Sequence, residues 1–324
     1  MDFEKIEMAN GQRLVFFGRF AGICGCVDAL CYAGKRLAWL GDKNPFAMIK
    51  SMKDYKDLRS VKRDFIKCAQ YLKRSPIPDL SPFIIGITGR GNVARGVMEM
   101  LDLFDPIDIH PRDLEQFIKE KRYTKKRIYR IVFTREEKFR SKKGHAFYFE
   151  DYLEHPRHYE SRMDEYLKHV NILLHASYWD DRFPRLVTKR MLSKMYRPGF
   201  RLSFIGDLSC DINGAIEITS HVTTPDQPVF TYDPEKRKSV DGYQSKGISV
   251  MAIDNLPCEL PKDSSEDFSL SIREYIYQIA VHGAVDVTEH AALPSELRRA
   301  VITQEGALTK RFQYLRRFIK RGSL

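Results

Sequence analysis

Long apolar runs are missing from this 324-residue chain, and with them any stretch able to span a bilayer as a helix. The opening, MDFEKIEMANGQR, has neither the basic start nor the apolar core of a secretion signal, and it is not the Arg-rich, acid-poor segment of a mitochondrial presequence. Cysteine is sparse: six residues, at 24, 26, 31, 68, 210 and 258, with no CxxC pair among them. That spacing offers no metal cluster. Cys24, Cys26 and Cys31 share one apolar segment, so buried thiols in a reducing compartment are expected, with no metal bound. Internal repeats and low-complexity tracts are absent as well. What is present is an ordinary globular composition, 43% hydrophobic, in a chain long enough for two domains with separate cores.

Positive charge is in excess, at +11, and its distribution matters more than its size. From Lys119 to Lys143 twelve Lys and Arg face three Glu, so one segment carries most of the excess. Within it Ile128, Ile131, Val132 and Phe133 suggest a strand flanked by basic turns. A charge run of this kind is ordinarily a solvated face; a polyanion-binding role, nucleic acid included, is the lesser reading. Attraction of an anionic cofactor or a dicarboxylate substrate is a milder use of the same field.

The most informative stretch is SPFIIGITGRGNVARGVMEML, Ser81 to Leu101. An apolar run, Phe83 to Ile87, breaks at Gly89, Arg90, Gly91, Asn92 and Val93 into a segment with Val93, Val97, Met100, Leu101 and Phe104 at spacings of three and four. That is a buried strand, a glycine turn and an amphipathic helix. In the pattern GxGxxA, Gly89 permits a tight turn, Gly91 lets backbone amides approach a pyrophosphate, and small Ala94 lets the helix pack close to the strand. The helix start then aims free N–H groups and a positive dipole end at the phosphates. A carboxylate about twenty residues further on would take the ribose 2′-OH of NAD, whereas an Arg nearby accommodates the 2′-phosphate of NADP. The segment Asp105 to Arg112 carries His110 and Arg112 at its expected end, which favours NADP with NAD as second choice. Asp108 stays open as a ribose ligand if the strand ends earlier.

Beyond this turn, strands expected at 169–177, 200–209 and 248–254 alternate with a helix at 186–196, which predicts an α/β fold with a doubly wound parallel sheet. Asp207 and Asp211 bracket one strand end, where ligands of such sheets bind; contact with the nicotinamide half and simple service to loop amides are equally open for them. The segment 211–247, rich in Gly, Pro, Thr and Asp, is expected as a loop over the cofactor. Helices are expected at 20–40, 46–73 and 264–281.

Several blocks taken together resemble one family. They are GQRLVFFGRFAGICGCVDAL, FIIGITGRGNVARG, YLEHPRHYESRM, GDLSCDINGAIEITSHVTTPDQPVFTYD and MAIDNLPCELPKDSSEDF, in order across nearly the whole chain. The chain is similar to the lysine-forming saccharopine dehydrogenases, in particular the lysine–2-oxoglutarate reductase half of the bifunctional aminoadipic semialdehyde synthase, within the alanine dehydrogenase and transhydrogenase superfamily. The resemblance implies a Rossmann-type domain at 81–255, with 1–45 as a remnant of the substrate domain and bridging helix, 46–80 as a linking helix, and 256–324 returning to the incomplete substrate domain. It implies reductive condensation of L-lysine with 2-oxoglutarate to saccharopine by NADPH, in the mitochondrial matrix or otherwise the cytoplasm, with homo-oligomer formation open. Arg13 matches a family Arg expected to hold a substrate carboxylate, and Asp254 a position near the nicotinamide ribose. The family's Lys and His acid/base pair would precede Met1, so no catalytic residue is carried over, and the second dehydrogenase half would lie beyond Leu324. A dinucleotide-binding or regulatory module without turnover is therefore the alternative to an active reductase, with a basic polyanion-binding module as a third reading.

Overall fold

A computed structural model describes residues 1–75, 77, 79–282 and 293–319. The chain divides into two compact units, Gly18–Leu260 and Met1–Phe17 with Pro261–Leu324.

The larger unit is built on eight strands: β1 (Phe83–Thr88), β2 (Ile107–Asp108), β3 (Ile128–Phe133), β4 (Ile172–His175), β5 (Phe204–Asp207), β6 (Phe230–Asp233), β7 (Lys238–Asp241) and β8 (Ile248–Met251). Their spatial order is β2-β3-β1-β4-β5-β8-β6-β7. All pairings from β2 to β8 are parallel, while β8–β6 and β6–β7 are antiparallel. The fold is therefore α/β with a mixed, mostly parallel sheet. Every residue of β1 is buried, as a strand covered on both faces requires. Phe83, Ile85 and Ile87 join one core cluster with Phe20, Phe46, Phe65, Val97 and Leu101. Ile84 turns the other way, to Ile131, Phe133, Leu173 and Ile205.

Helices cover the first face. The 22-residue α1 (Gly18–Trp39) is apolar nearly all round, from Phe20 to Leu37, and sits buried in the first cluster, as a helix without a polar face must. By contrast α2 (Leu58–Arg74) is amphipathic: Val61, Phe65, Cys68, Ala69 and Leu72 face inward, and a reciprocal capping box of Asp57 and Ser60 starts it. The glycine-turn helix is α3 (Asn92–Asp102). It crosses α1 so closely that a Cβ on Gly22 would lie 1.9 Å from the Val93 carbonyl oxygen, and one on Gly96 2.0 Å from that of Arg19. Two side-chainless positions thus set the helix spacing.

At several places the fold departs from the sequence reading. The stretch 46–73 is not one helix: Asn44 caps a turn at Pro45–Met48, another turn spans Met52–Asp54, and Asp57 starts α2 afresh. The segment 211–247 is not only a loop, since it contains the β6–β7 hairpin that extends the sheet in antiparallel fashion. The compact larger unit also reaches beyond 81–255, because α1 and α2 pack into the sheet's own core. Finally, the strand that follows α3 in sequence is a two-residue edge piece, and β3 takes the place beside β1.

The smaller unit has its own core of Ile6, Val15, Leu293, Leu297 and Ala300, with Phe3, Phe268, Ile272 and Tyr275 against it. Phe17 stacks on Phe268 at 4.6 Å, and Phe3 meets both edge-on.

Candidate dinucleotide site

At the end of β1 the chain enters Gly89 with φ +91°, where L side chains are strained; a Cβ there would lie 3.0 Å from the Ala176 carbonyl oxygen. Gly91 differs. Its φ is −73°, it caps α3 without a side chain, and nothing lies within 4 Å of where its Cβ would be. The N–H groups opening α3 therefore face a space that a side chain at 91 would fill, while buried Ala94 lets the helix sit against the sheet.

This turn stands between two strands that leave β1 on opposite sides, β3 and β4, and such a reversal of strand order opens a crevice at the carboxyl ends. A groove of about 400 Å³ occupies that crevice. It is lined by Gly89, Arg90 and Gly91 from the turn, Thr134, Arg135 and Lys138 after β3, and Ala176, Ser177 and Tyr178 after β4.

A buried polar network ties its floor together. Thr88 Oγ1 lies 2.8 Å from His175 Nδ1, and the same oxygen accepts the Ala176 N–H at 3.2 Å and the Ser177 hydroxyl at 3.3 Å. Lys138 Nζ donates to Ser177 Oγ at 3.0 Å. Burial, helped by the nearby Lys138 charge, pushes the His175 pKa down to about 3, so its imidazole is neutral. Burial, with the neighbouring Arg135 second, brings the Lys138 ammonium down to about 8, against an upward pull from Glu137.

Asp108 ends β2 and gives both oxygens to Arg130, at 2.6 and 3.0 Å, while Arg130 also reaches Asp102 at 2.6 Å. His110 caps the turn Pro111–Asp113; its Nδ1 accepts from the Arg112 backbone N–H at 3.3 Å and from Arg112 Nε at 3.0 Å. Asp108 and His110 line a second groove, of about 580 Å³, together with Arg90 of the glycine turn, Arg95 and Arg130, and His110 Nε2 stands 3.8 Å from Glu137 Oε1. Asp207 is fully buried at the end of β5 and engages Ser209 with one oxygen and Thr219 with the other, at 2.8 and 2.6 Å. Burial raises its pKa, and both oxygens are spent inside the loop. Asp211 is exposed near Ser209, its carboxyl also raised by partial burial. Asp254 is exposed and accepts the Asn255 N–H at 2.8 Å. Arg13 belongs to the smaller unit and pairs with Glu4 at 3.6 Å, both half exposed.

Sequence reasoning missed Thr134, Arg135, Lys138, Ala176, Ser177 and Tyr178, which line the groove, and the buried Thr88 and His175 that hydrogen-bond beneath it. A signal existed in the TREEK run directly after the strand at Ile128–Phe133, but nothing in the sequence says that this strand lies next to β1. Among the described residues no group of three His, Cys, Asp or Glu is placed to hold a metal ion, and no helix is long and apolar enough to cross a membrane.

Comparison with known proteins gives the family and the fold. The chain is 31% identical over 331 residues to alpha-aminoadipic semialdehyde synthase of Arabidopsis thaliana, covering 98% of this chain and 31% of the relative. It is 26% identical over 333 residues to the mitochondrial enzyme of that name from Bos taurus, covering 98% and 36%. It is also 25% identical over 295 residues to saccharopine dehydrogenase [NAD(+), L-lysine-forming] of Emericella nidulans, covering 86% and 61%. The chain thus spans about a third of the length of the two synthases. A solved L-alanine dehydrogenase superposes with a TM-score of 0.53 at 15% identity, over 98% of this chain and 68% of that one, a likeness of fold. Residues 124–311, from the approach to β3 into the smaller unit, match the family described as alanine dehydrogenase/PNT, C-terminal domain, and the chain belongs to that family.

Proposed function

We propose that this chain is an NADP-dependent reductase of the saccharopine type, binding NADPH in the groove at Gly89–Val93 and condensing L-lysine with 2-oxoglutarate. The observation that carries the dinucleotide part is the open space over Gly91 at the start of α3, between the ends of β3 and β4. A pyrophosphate fits it: the backbone can be approached closely, the helix amides are donors, and Arg90 stands beside them. Family membership supports a nicotinamide dinucleotide, and the name of the Emericella nidulans relative, an L-lysine-forming saccharopine dehydrogenase, supports the lysine and saccharopine chemistry.

Bound NADPH would supply a hydride to the imine carbon formed from lysine's amine and the keto acid; a proton on nitrogen completes the secondary amine of saccharopine. The chain's part is to bind and orient. Gly89, Arg90, Gly91, Asn92 and Val93 hold the pyrophosphate by backbone amides and charge. The small residues of the α1–α3 crossing keep those amides in place, and the Thr88–His175–Ser177–Lys138 network fixes the groove floor. Asp211 and Asp254 are assigned to the nicotinamide side, and Arg13 to a substrate carboxylate. A mitochondrial location belongs to the same reading, supported by the word mitochondrial in the Bos taurus relative's name.

The polyanion reading loses ground because four of the segment's five arginines are ion-paired: Arg122 with Glu120, Arg127 with Asp105, Arg130 with Asp102 and Asp108, Arg140 with Glu160 and Glu165. Titration with NADPH and NADH, followed by NADPH oxidation with lysine plus 2-oxoglutarate against lysine alone, tests the proposal. NADPH binding with turnover only in the complete mixture is expected. Binding without turnover would favour the non-catalytic module, and no binding would remove the reading.

A further inference from the structure

We propose that β7 is a docking edge for a second copy of this chain, the two sheets joining antiparallel across a two-fold axis at Val240. The two edges of the sheet differ. At one, β2 is only two residues long and its Asp108 is held by Arg130. At the other, β7 runs four residues without a proline and is paired only on its β6 side. Val240 there is 58% exposed, an apolar side chain at the centre of an unpaired strand, where edges that resist association carry charge, proline or a bulge.

The hairpin's hydrogen bonds decide which backbone groups face outward. Gly242 N–H donates to the Val229 carbonyl at 2.7 Å, which sets the alternation along the pair: Val240 bonds inward to Thr231, while Ser239 and Asp241 turn their N–H and C=O groups away from β6. The edge is also held in place. Thr231 Oγ1 donates to the Gly242 carbonyl at 2.7 Å, and the buried Arg36 donates to the Tyr243 and Gly247 carbonyls of the crossover to β8, at 2.5 and 2.8 Å.

A two-fold axis normal to the sheet keeps each face on its own side, so two residues meet only when their numbers are both odd or both even. With Ser239 and Asp241 as the bonding positions, three registers remain. Asp241 on Asp241 opposes like charges. Ser239 on Ser239 brings Arg237 opposite Asp241, and Arg237, at φ +55°, has left the extended strand, so a single bonded pair forms. Ser239 on Asp241 has neither fault. It makes two bonded pairs, each exchanging both N–H···O bonds, and sets Val240 against the second copy's Val240 at the close, non-bonded position, with Cα atoms about 4.5 Å apart. Ser239 Oγ accepts from Ser220 at 3.2 Å, which leaves its own proton for the other copy's Asp241, a side chain 75% exposed and 3.5 Å from His221. Lys238 falls opposite Gly242, where nothing lies within 4 Å of a Cβ. The segment thus complements itself, as a two-fold contact requires, and a single strand pair is small enough to give a concentration-dependent dimer.

The test is sedimentation velocity on the full chain from micromolar to near-millimolar concentration, in wild type, Val240→Lys, Ser239→Pro and Leu270→Lys, each checked for folding by circular dichroism. Wild type should pass from monomer to dimer as concentration rises. Val240→Lys sets two ammonium groups at the axis, and Ser239→Pro removes an outward N–H that the hairpin does not use. Each should weaken the dimer about tenfold or more, the scale of one or two backbone hydrogen bonds. Leu270→Lys, at an exposed position on the helix Pro261–His282 of the smaller unit, should dimerise like wild type. Amide hydrogen exchange reads the register: the Ser239 and Asp241 amides should slow as concentration rises, while the inward Val240 amide exchanges at one rate throughout. A chain that stays monomeric overturns the inference, as does a dimer that survives both edge variants or dissolves only in Leu270→Lys. If Ser239→Pro does not fold, Val240→Lys and the exchange pattern decide.

Discussion

Single residues carry this account where backbone, not side chain, must meet a ligand. Gly89 and Gly91 were both legible from their spacing, yet they act differently: Gly89 is held by its positive φ, Gly91 by the empty space above it. Gly89→Ala should therefore cost stability as well as binding, about 1 kcal/mol or more, seen as a lower melting temperature. A second residue-scale feature lies outside the groove. Glu259 and Asp28 form a buried carboxyl pair in which burial first, and the Asp28 charge second, push Glu259 up to about 9. Glu259 keeps a proton that the unfolded chain releases near about 4.3, so the folded form is favoured most at low pH. Stability should decline as pH rises from about 4.5 to about 9. Glu259→Gln should flatten that decline between pH 5 and 9 and raise the melting temperature most at the alkaline end, measured by calorimetry across pH. An equal shift at every pH would show that the carboxyl is not protonated in the fold.

Elements decide where those residues stand. The strand at Phe83 and the helix after it were readable because a short apolar run followed by three- and four-residue spacing admits little else. The position of β3 was not readable: periodicity reports a strand, whereas its neighbours depend on how the connections cross the sheet. His110 lines a groove with Arg90 and Asp108, as its place after the second strand suggests, whereas the edge position of β2 depends on how the connections run. The β6–β7 hairpin was hidden for another reason, since Lys238–Asp241 is exposed and polar, without the alternation that marks a half-buried strand. Helix spacing gives the prediction at this scale. A side chain at Gly96 meets the Arg19 backbone carbonyl, which cannot swing aside, so Gly96→Val should force α1 from α3. We expect a loss of about 1–3 kcal/mol or more in denaturant unfolding, together with weakened NADPH binding because the α3 amides move. A variant as stable as wild type would mean that the crossing is looser than the two glycines indicate.

At the scale of the whole molecule, the sheet-bearing unit and the smaller unit each have a separate core, and the alanine dehydrogenase/PNT C-terminal family match runs through both. The α/β class was legible from alternating strands and helices, and the relatives were legible from blocks spread along the chain. The division at Phe17 and Leu260 was not, because α1 reads as a helix in sequence without saying which core it enters. The central claim is that a dinucleotide's pyrophosphate lies on the backbone at Gly91, and fluorescence titration of NADPH into wild type and Gly91→Val tests it most directly. The glycine's φ of −73° suits any residue and its Cβ would meet open space, so the variant should keep wild-type circular dichroism. Saturable binding by wild type and none by the folded variant is the predicted result; equal affinity in both would contradict it.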